Sequence, residues 1–290
     1  MSQLLTASPT EIARYARGAL NLADALEVTP VPLDQVELAA GLHPAEALWE
    51  AGDAMPPHML AILKKLGRRV MGGLALSEKQ IYLDFNLPSP RRRFVHGHEL
   101  GHEVLPWQKQ AYYADTDFTL DPQTRDAMEA EANIFSAELL FGLDRFTTQA
   151  DDYAPGILAP LSLNGDFAVS AHSALRRYAE TTSYTVALLV FGRHGSRPVF
   201  EDQCAQSASF AHRYGPITPL LTPSLSQHPA VMAIGRASAG NTIENGETMT
   251  LDTRRGSVAF RTEAFTNGRV SFVMLSRRSI LGRPLTRLAA

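Results

Sequence analysis

At 290 residues the chain exceeds what one small core needs, so two or three domains are expected. Its 45% hydrophobic and 20% charged content is that of an ordinary soluble globular protein, and a formal net charge of -3 offers no global attraction for nucleic acid or an anionic membrane. The single cysteine, Cys204, cannot close an intramolecular disulfide, and it suits a reducing compartment. The N-terminal MSQLLTASPTEIARYARGALNL lacks a basic stretch followed by an apolar run, and VALLVF near the middle is far short of a membrane span. Secretion and membrane insertion are therefore not expected, and a cytoplasmic location is.

Ser8-Pro9-Thr10-Glu11 reads as a helix start with Ser8 as cap, Pro9 in the first turn and Glu11 closing a capping box; that helix is expected to reach about Leu26. Leu33–Ala40 and Pro44–Glu50 read as two short helices split by Gly41, and Pro57–Leu66 as another ended by Gly67. The period then changes. Arg69–Leu76 and Gln80–Asn86 carry apolar and β-branched residues around Ser77-Glu78, which predicts a hairpin. Pro88-Ser89-Pro90 breaks the second strand, and a helix from about Arg91 to Leu105 stops before Pro106.

This last helix carries the chemistry. Within RRRFVHGHELGHEVLPW, His98, Glu99 and His102 form H-E-L-G-H. Residues four apart share a helix face, so His98 and His102 can offer two imidazole nitrogens to one cation, while Glu99, about 100 degrees round, reaches a water on it. A catalytic zinc needs a third protein ligand and an open fourth position. The second helix, Asp121 to Gly142, supplies Asp126, Glu129, Glu131 and Glu138 as competitors for that role. Helical geometry favours Glu129, beside Asn133 and Ser136 at the edge of the stripe Met128, Ala132, Phe135 and Leu139; Glu131 falls with Glu138 on the far flank. Asn133, one turn beyond Glu129, can orient it or a histidine. Tyr112, Tyr113 and His96 are nearby candidates for an oxyanion donor, a role left unassigned.

The pair RFVHGHELGH and EAEANIFSAELL resembles the ImmA/IrrE family of intracellular metallopeptidases, whose signatures are R-F-x-x-x-H-E-x-G-H and E-x-E-A-N-x-F-A-x-x-L-L. The resemblance implies an α+β chain with a zincin-like domain at about 1–150, a helix-turn-helix-like segment at 151–182 and a GAF-like domain at 183–290. It implies His98, His102 and Glu129 as metal ligands, Glu99 as general base, and a helix-turn-helix repressor as the protein substrate, whose cleavage derepresses a stress response such as that to DNA damage. Zinc suits two imidazoles and one carboxylate, with manganese or iron as alternatives. Two departures from the family pattern, Glu103-Val104-Leu105-Pro106 after the motif and Phe141-Gly142, touch no ligand position.

Between Asp151 and Thr182, apolar spacing gives two or three short helices around Asn164-Gly165, with Phe167, Val169 and Ser170 matching the family's F-x-V-S. Arg176 and Arg177 are outnumbered there by Asp151, Asp152, Asp166 and Glu180, which disfavours phosphate contact; the segment reads as a spacer or protein-docking element. From Ser183 onward YTVALLVFG, PVFED, ETMTLD, GSVAFRTEAF and RVSFVMLSR read as strands of an antiparallel sheet with few helices, either enclosing an unknown small ligand or serving as a docking surface. The arginines crowding this end read as a solvated face. The rival to an endopeptidase is a DNA-binding regulator with a non-catalytic metal site; retention of Glu99 argues against it, because a structural zinc needs no base.

Overall fold

The computed structural model describes residues 7–51, 55–67, 70–109, 122–194, 197–217, 223–244 and 246–277. The chain is a mixed α+β protein that divides into two compact units, one of residues 1–145 with 166–169 and one of residues 146–165 with 170–290.

In the first unit α1 (Pro9–Leu22) opens as expected, with Ser8 Oγ accepting from Glu11 N at 3.2 Å. It stops four residues early, and Asp24 turns the chain with φ 50°. After α2 (Leu33–Ala39) comes a correction: Pro44–Glu50 is not a helix. His43–Ala47 is strand β1, parallel to β3 (Gln80–Leu83), with His43 opposite Gln80 and Ala47 opposite Leu83. The helix propensity of Ala and Glu is overridden because the segment's backbone finds partners on β3: His43 N donates to Lys79 O and Leu48 N to Leu83 O. Helix α3 (Pro57–Leu66) matches its expectation, and β2 (Gly72–Ala75) pairs antiparallel with β3, giving the order β1-β3-β2. Leu48, Met55, Met59, Ala75 and Tyr82 form the core beside this sheet.

Helices α4 (Ser89–Val104) and α5 (Pro122–Leu140) pack closely, and small residues permit it. A Cβ on Gly97 would stand 2.6 Å from Ser136 Oγ, and one on Gly101 would stand 3.2 Å from the Ala132 Cα. Ser136 Oγ also donates to Phe94 O at 2.8 Å. The two glycines of the H-G-H-E-L-G-H run therefore set the distance at which α5 can present a side chain to the histidines. Helix α5 ends where Gly142 adopts φ 58°, as its position predicts; the expected cap Asp121 lies outside the described residues.

The second unit begins with short helices α6 (Arg145–Asp151), α7 (Leu158–Leu163) and α8 (Ala171–Thr181), the last capped by Ser170 Oγ on Ser173 N. An antiparallel sheet follows: β4 (Val186–His194), β5 (Arg197–Gln206), β6 (Thr242–Ile243), β7 (Met249–Thr253), β8 (Gly256–Thr266) and β9 (Ser271–Ser276), in the order β5-β4-β9-β8-β6 with β7 also on β8. Alternation along β4 sends Ala187, Leu189 and Phe191 into a core with Phe210, Tyr214, Val231 and Ile234, while Leu188 and Val190 lie beside His172 and Arg176 of α8. Phe210 and Tyr214 belong to α9 (Ala208–Tyr214), and Val231 and Ile234 to α10 (Pro229–Arg236), two helices that the strand pattern did not anticipate. Their caps, Ser207 on Phe210 N and His228 on Ala230 N, were the signals available.

Candidate metal centre

Helix α4 brings His98 and His102 onto one face, and α5 brings Glu129 opposite them. The Nε2 atoms of His98 and His102 are 3.1 Å apart; Glu129 Oε2 is 3.2 Å from His98 Nε2, and Glu129 Oε1 is 3.6 Å from His102 Nε2. The three form a cluster able to hold a metal ion. Its histidines are largely enclosed, whereas the Glu129 side chain is 48% exposed, so the cluster is open on the glutamate's side.

The hydrogen bonds behind the histidines decide which nitrogen faces inward. Gln108 donates through Nε2 to Met128 O at 3.0 Å and to Glu131 Oε2 at 2.8 Å, both of which only accept. Its Oε1 must therefore be the atom 2.7 Å from His102 Nδ1, so that nitrogen carries the proton and Nε2 presents its lone pair to the cluster. His98 Nδ1 likewise faces Asn133 Oδ1 at 3.0 Å. Two imidazole Nε2 atoms and a carboxylate then converge on one point, a donor set that suits a cation.

Glu131 is the residue whose place differs most from expectation. Expected on the far flank with Glu138, it is 2% exposed, accepting from Ala7 N at 2.8 Å, Trp107 Nε1 at 2.7 Å and Gln108 Nε2 at 2.8 Å. It anchors the amide that orients His102. Ala7 before α1 and Trp107 and Gln108 beyond α4 supply this acceptor with three donors, and helical periodicity on α5 alone carries no sign of them. Asn133 stands where its one-turn spacing suggested, on His98 instead of Glu129. His96 lies apart from the cluster, beside Glu37 at 3.5 Å, and Tyr112 and Tyr113 lie outside the described residues.

Electrostatics separate the roles further. Burial pushes the Glu99 carboxyl up to about 7, partly offset by the charge of His98 and reinforced by that of Glu129. The strand β2 comes close here, since a Cβ on Gly72 would lie 3.2 Å from Glu99 Oε1. Burial first, and the charge of His98 second, push His102 down to about 4, which keeps it neutral. For His98 burial pulls downward, but the hydrogen bond and charge of Glu129, with the charge of Glu99, leave it above its ordinary value. Glu129 is held below the usual carboxylate range, chiefly by its bond to His98. A buried carboxyl poised near neutrality beside two imidazoles and an ionised carboxylate suits proton transfer at the cluster.

Residues 64–178 match the family model of the IrrE N-terminal-like domain, Peptidase_M78. The matched stretch contains α4, α5 and every residue of the cluster, so this chain carries a segment similar to a metallopeptidase-family domain. No curated protein matches the chain by sequence. Among solved structures, a transcriptional regulator of Mycobacterium tuberculosis superposes with a TM-score of 0.50 at 14% identity, over 92% of this chain and 81% of that one. At that identity the likeness concerns the fold. No helix among the described residues is long and apolar enough to cross a membrane.

Proposed function

We propose that this chain is a metal-dependent endopeptidase in which His98, His102 and Glu129 hold zinc, with manganese as the alternative, and Glu99 is the general base. The observation that carries the reading is the pairing of the His98, His102 and Glu129 cluster with a buried carboxyl raised to about 7 immediately beside it. When bound, the cation supplies Lewis acidity and acidifies water at its open position. Gln108 and Asn133 keep both Nε2 lone pairs directed at the cluster. Glu99 takes the proton of the attacking water on its carboxylate and returns it to the leaving amine. Strand β2 stands at the end of its sheet beside Glu99, and an extended substrate backbone is proposed to pair with it.

The protein substrate is proposed to be a helix-turn-helix repressor whose cleavage derepresses a stress response. This half rests on the resemblance of RFVHGHELGH and EAEANIFSAELL to the ImmA/IrrE family and of the chain's order and size to the Deinococcus regulator IrrE. The same resemblance supports a zincin-like region at 1–150, a helix-turn-helix-like segment at 151–182, a GAF-like domain at 183–290 and a cytoplasmic site of action. An antiparallel sheet with helices on both faces supports the GAF-like reading. DNA contact by 151–182 is disfavoured by its acidic excess. The test is incubation of the protein with candidate repressors and zinc or manganese: discrete fragments that vanish on chelation support the reading, and intact repressors with both metals count against it.

A further inference from the structure

His96 precedes His98 by two residues, so about 200 degrees of helix turn place it on the opposite face of α4. There it meets α2, where Asp34 and Glu37, three apart, share one helix face. The ligand atoms of Asp34, Glu37 and His96 lie within 4.8 Å of one another, and His96 Nε2 is 3.5 Å from Glu37 Oε2. Glu37 is 1% and His96 5% exposed. Glu37 Oε2 accepts from Ala45 N at 3.1 Å, yet Glu37 Oε1 and His96 Nε2, both buried, have no hydrogen-bond partner. Unpaired buried atoms of this kind are among the costlier features a core can carry. All three residues line a cavity of about 540 Å³.

We propose that Asp34, Glu37 and His96 form a second divalent-cation site, independent of the catalytic cluster, that takes zinc or manganese and braces α2 against α4. Donors around a tetrahedral zinc stand roughly 3.4 Å apart. The 3.5 Å between His96 Nε2 and Glu37 Oε2 meets that spacing, as do the 3.2 Å and 3.6 Å between Glu129 and the paired histidines. A cation would occupy the unpaired imidazole nitrogen and carboxylate oxygen together, which no single hydrogen-bond donor does. Arg92 and Arg93 also line the cavity: Arg93 Nη2 donates to Val31 O at 2.7 Å and Arg92 Nη1 to Phe85 O at 2.9 Å, while the Arg93 guanidinium, whose Nε has no hydrogen-bond partner, feels the charge of Asp34. Asp34 is exposed, so it can swing onto an incoming ion without disturbing the core.

The test counts metal. Metal-free full-length protein is titrated separately with zinc and manganese, bound metal is measured after desalting, and thermal unfolding is followed in parallel. Wild type is expected to take up two equivalents, a His98→Ala/His102→Ala variant one, and an Asp34→Asn/His96→Gln variant one. The unfolding midpoint of His98→Ala/His102→Ala should rise with added metal, and that rise should vanish when Asp34→Asn is added. If His96→Gln does not fold, Asp34→Asn alone carries the test, with second-site affinity expected to drop at least about tenfold for loss of one carboxylate ligand. Equal stoichiometry in wild type and the Asp34→Asn/His96→Gln variant would overturn the proposal, as would an unchanged second-site affinity in Asp34→Asn or a His98→Ala/His102→Ala protein that binds no metal. Failure of the catalytic cluster to bind metal would leave the His96-dependent equivalent in place, so the two readings fail separately.

Discussion

On one face of α4, His98 and His102 each have Nδ1 fixed by an amide oxygen, and Gln108, the amide behind His102, is itself pinned by Glu131 and Met128. On the other face, His96 and Glu37 meet with an imidazole nitrogen and a carboxylate oxygen unpaired. The first face is preorganised by a chain of supports reaching from α5 to the residues after α4. The second has its ligand types in place with support for only one oxygen. Under the proposed function, the difference separates a site whose ligand geometry is held in advance from one whose ligands a cation itself would organise.

The largest effect expected from breaking the first face is that of Glu129→Ala, which removes a proposed ligand outright. Its affinity for metal should fall by more than the roughly 10–100-fold loss typical of an outer residue, with cleavage lost alongside; competition against a chelator of known affinity measures it. Glu131→Ala comes next. It strips the acceptor from Ala7 N, Trp107 Nε1 and Gln108 Nε2, so we expect about 3 kcal/mol of lost stability and about 10–100-fold weaker metal binding, measured by urea unfolding and the same competition.

A third test sharpens the comparison through pH. The Glu99 carboxyl is held at about 7, above its ordinary 4.5, so the unfolded chain ionises first as pH rises. The metal-free folded protein should then lose stability between about pH 4.5 and pH 7, about 3 kcal/mol in total, with no penalty below that window and the full penalty above it. Metal-free Glu99→Gln should therefore be more stable than wild type at pH 8 and similar at pH 4. Equal denaturation midpoints at pH 8 would show that Glu99 is not poised as described. The smallest effect is that of Gly97→Ala, whose Cβ would press on Ser136 Oγ; a cost of about 1–3 kcal/mol is expected from thermal unfolding as α4 and α5 separate.

Much of the first face was legible in the sequence because its parts are local. The His98/His102 spacing fixes a shared helix face, Ser8 and Pro9 fix a helix start, and Gly142 fixes a helix end, each within one turn. What could not be read depends on chain segments far apart. Glu131 reads from the sequence as a far-flank neighbour of Glu138 because its donors come from Ala7, Trp107 and Gln108, which helical periodicity on α5 does not see. Pro44–Glu50 carried helix-forming residues, but pairing with β3 decided its state. The Asp34, Glu37 and His96 cluster joins two helices with no shared motif, and α9 and α10 announced themselves only through single capping residues. In the second unit, period-two alternation made the long strands legible, whereas the short β6 offered too few residues for any pattern.

The central claim is that Glu99 performs chemistry at a metal held by its neighbours without itself holding that metal. It is tested most directly by measuring bound metal and repressor cleavage on the same samples of wild type and Glu99→Gln. The account predicts equal metal content and a cleavage rate reduced by about 10²–10⁴-fold in the variant. A Glu99→Gln protein that cleaves at the wild-type rate, or that loses its metal together with its activity, would contradict it.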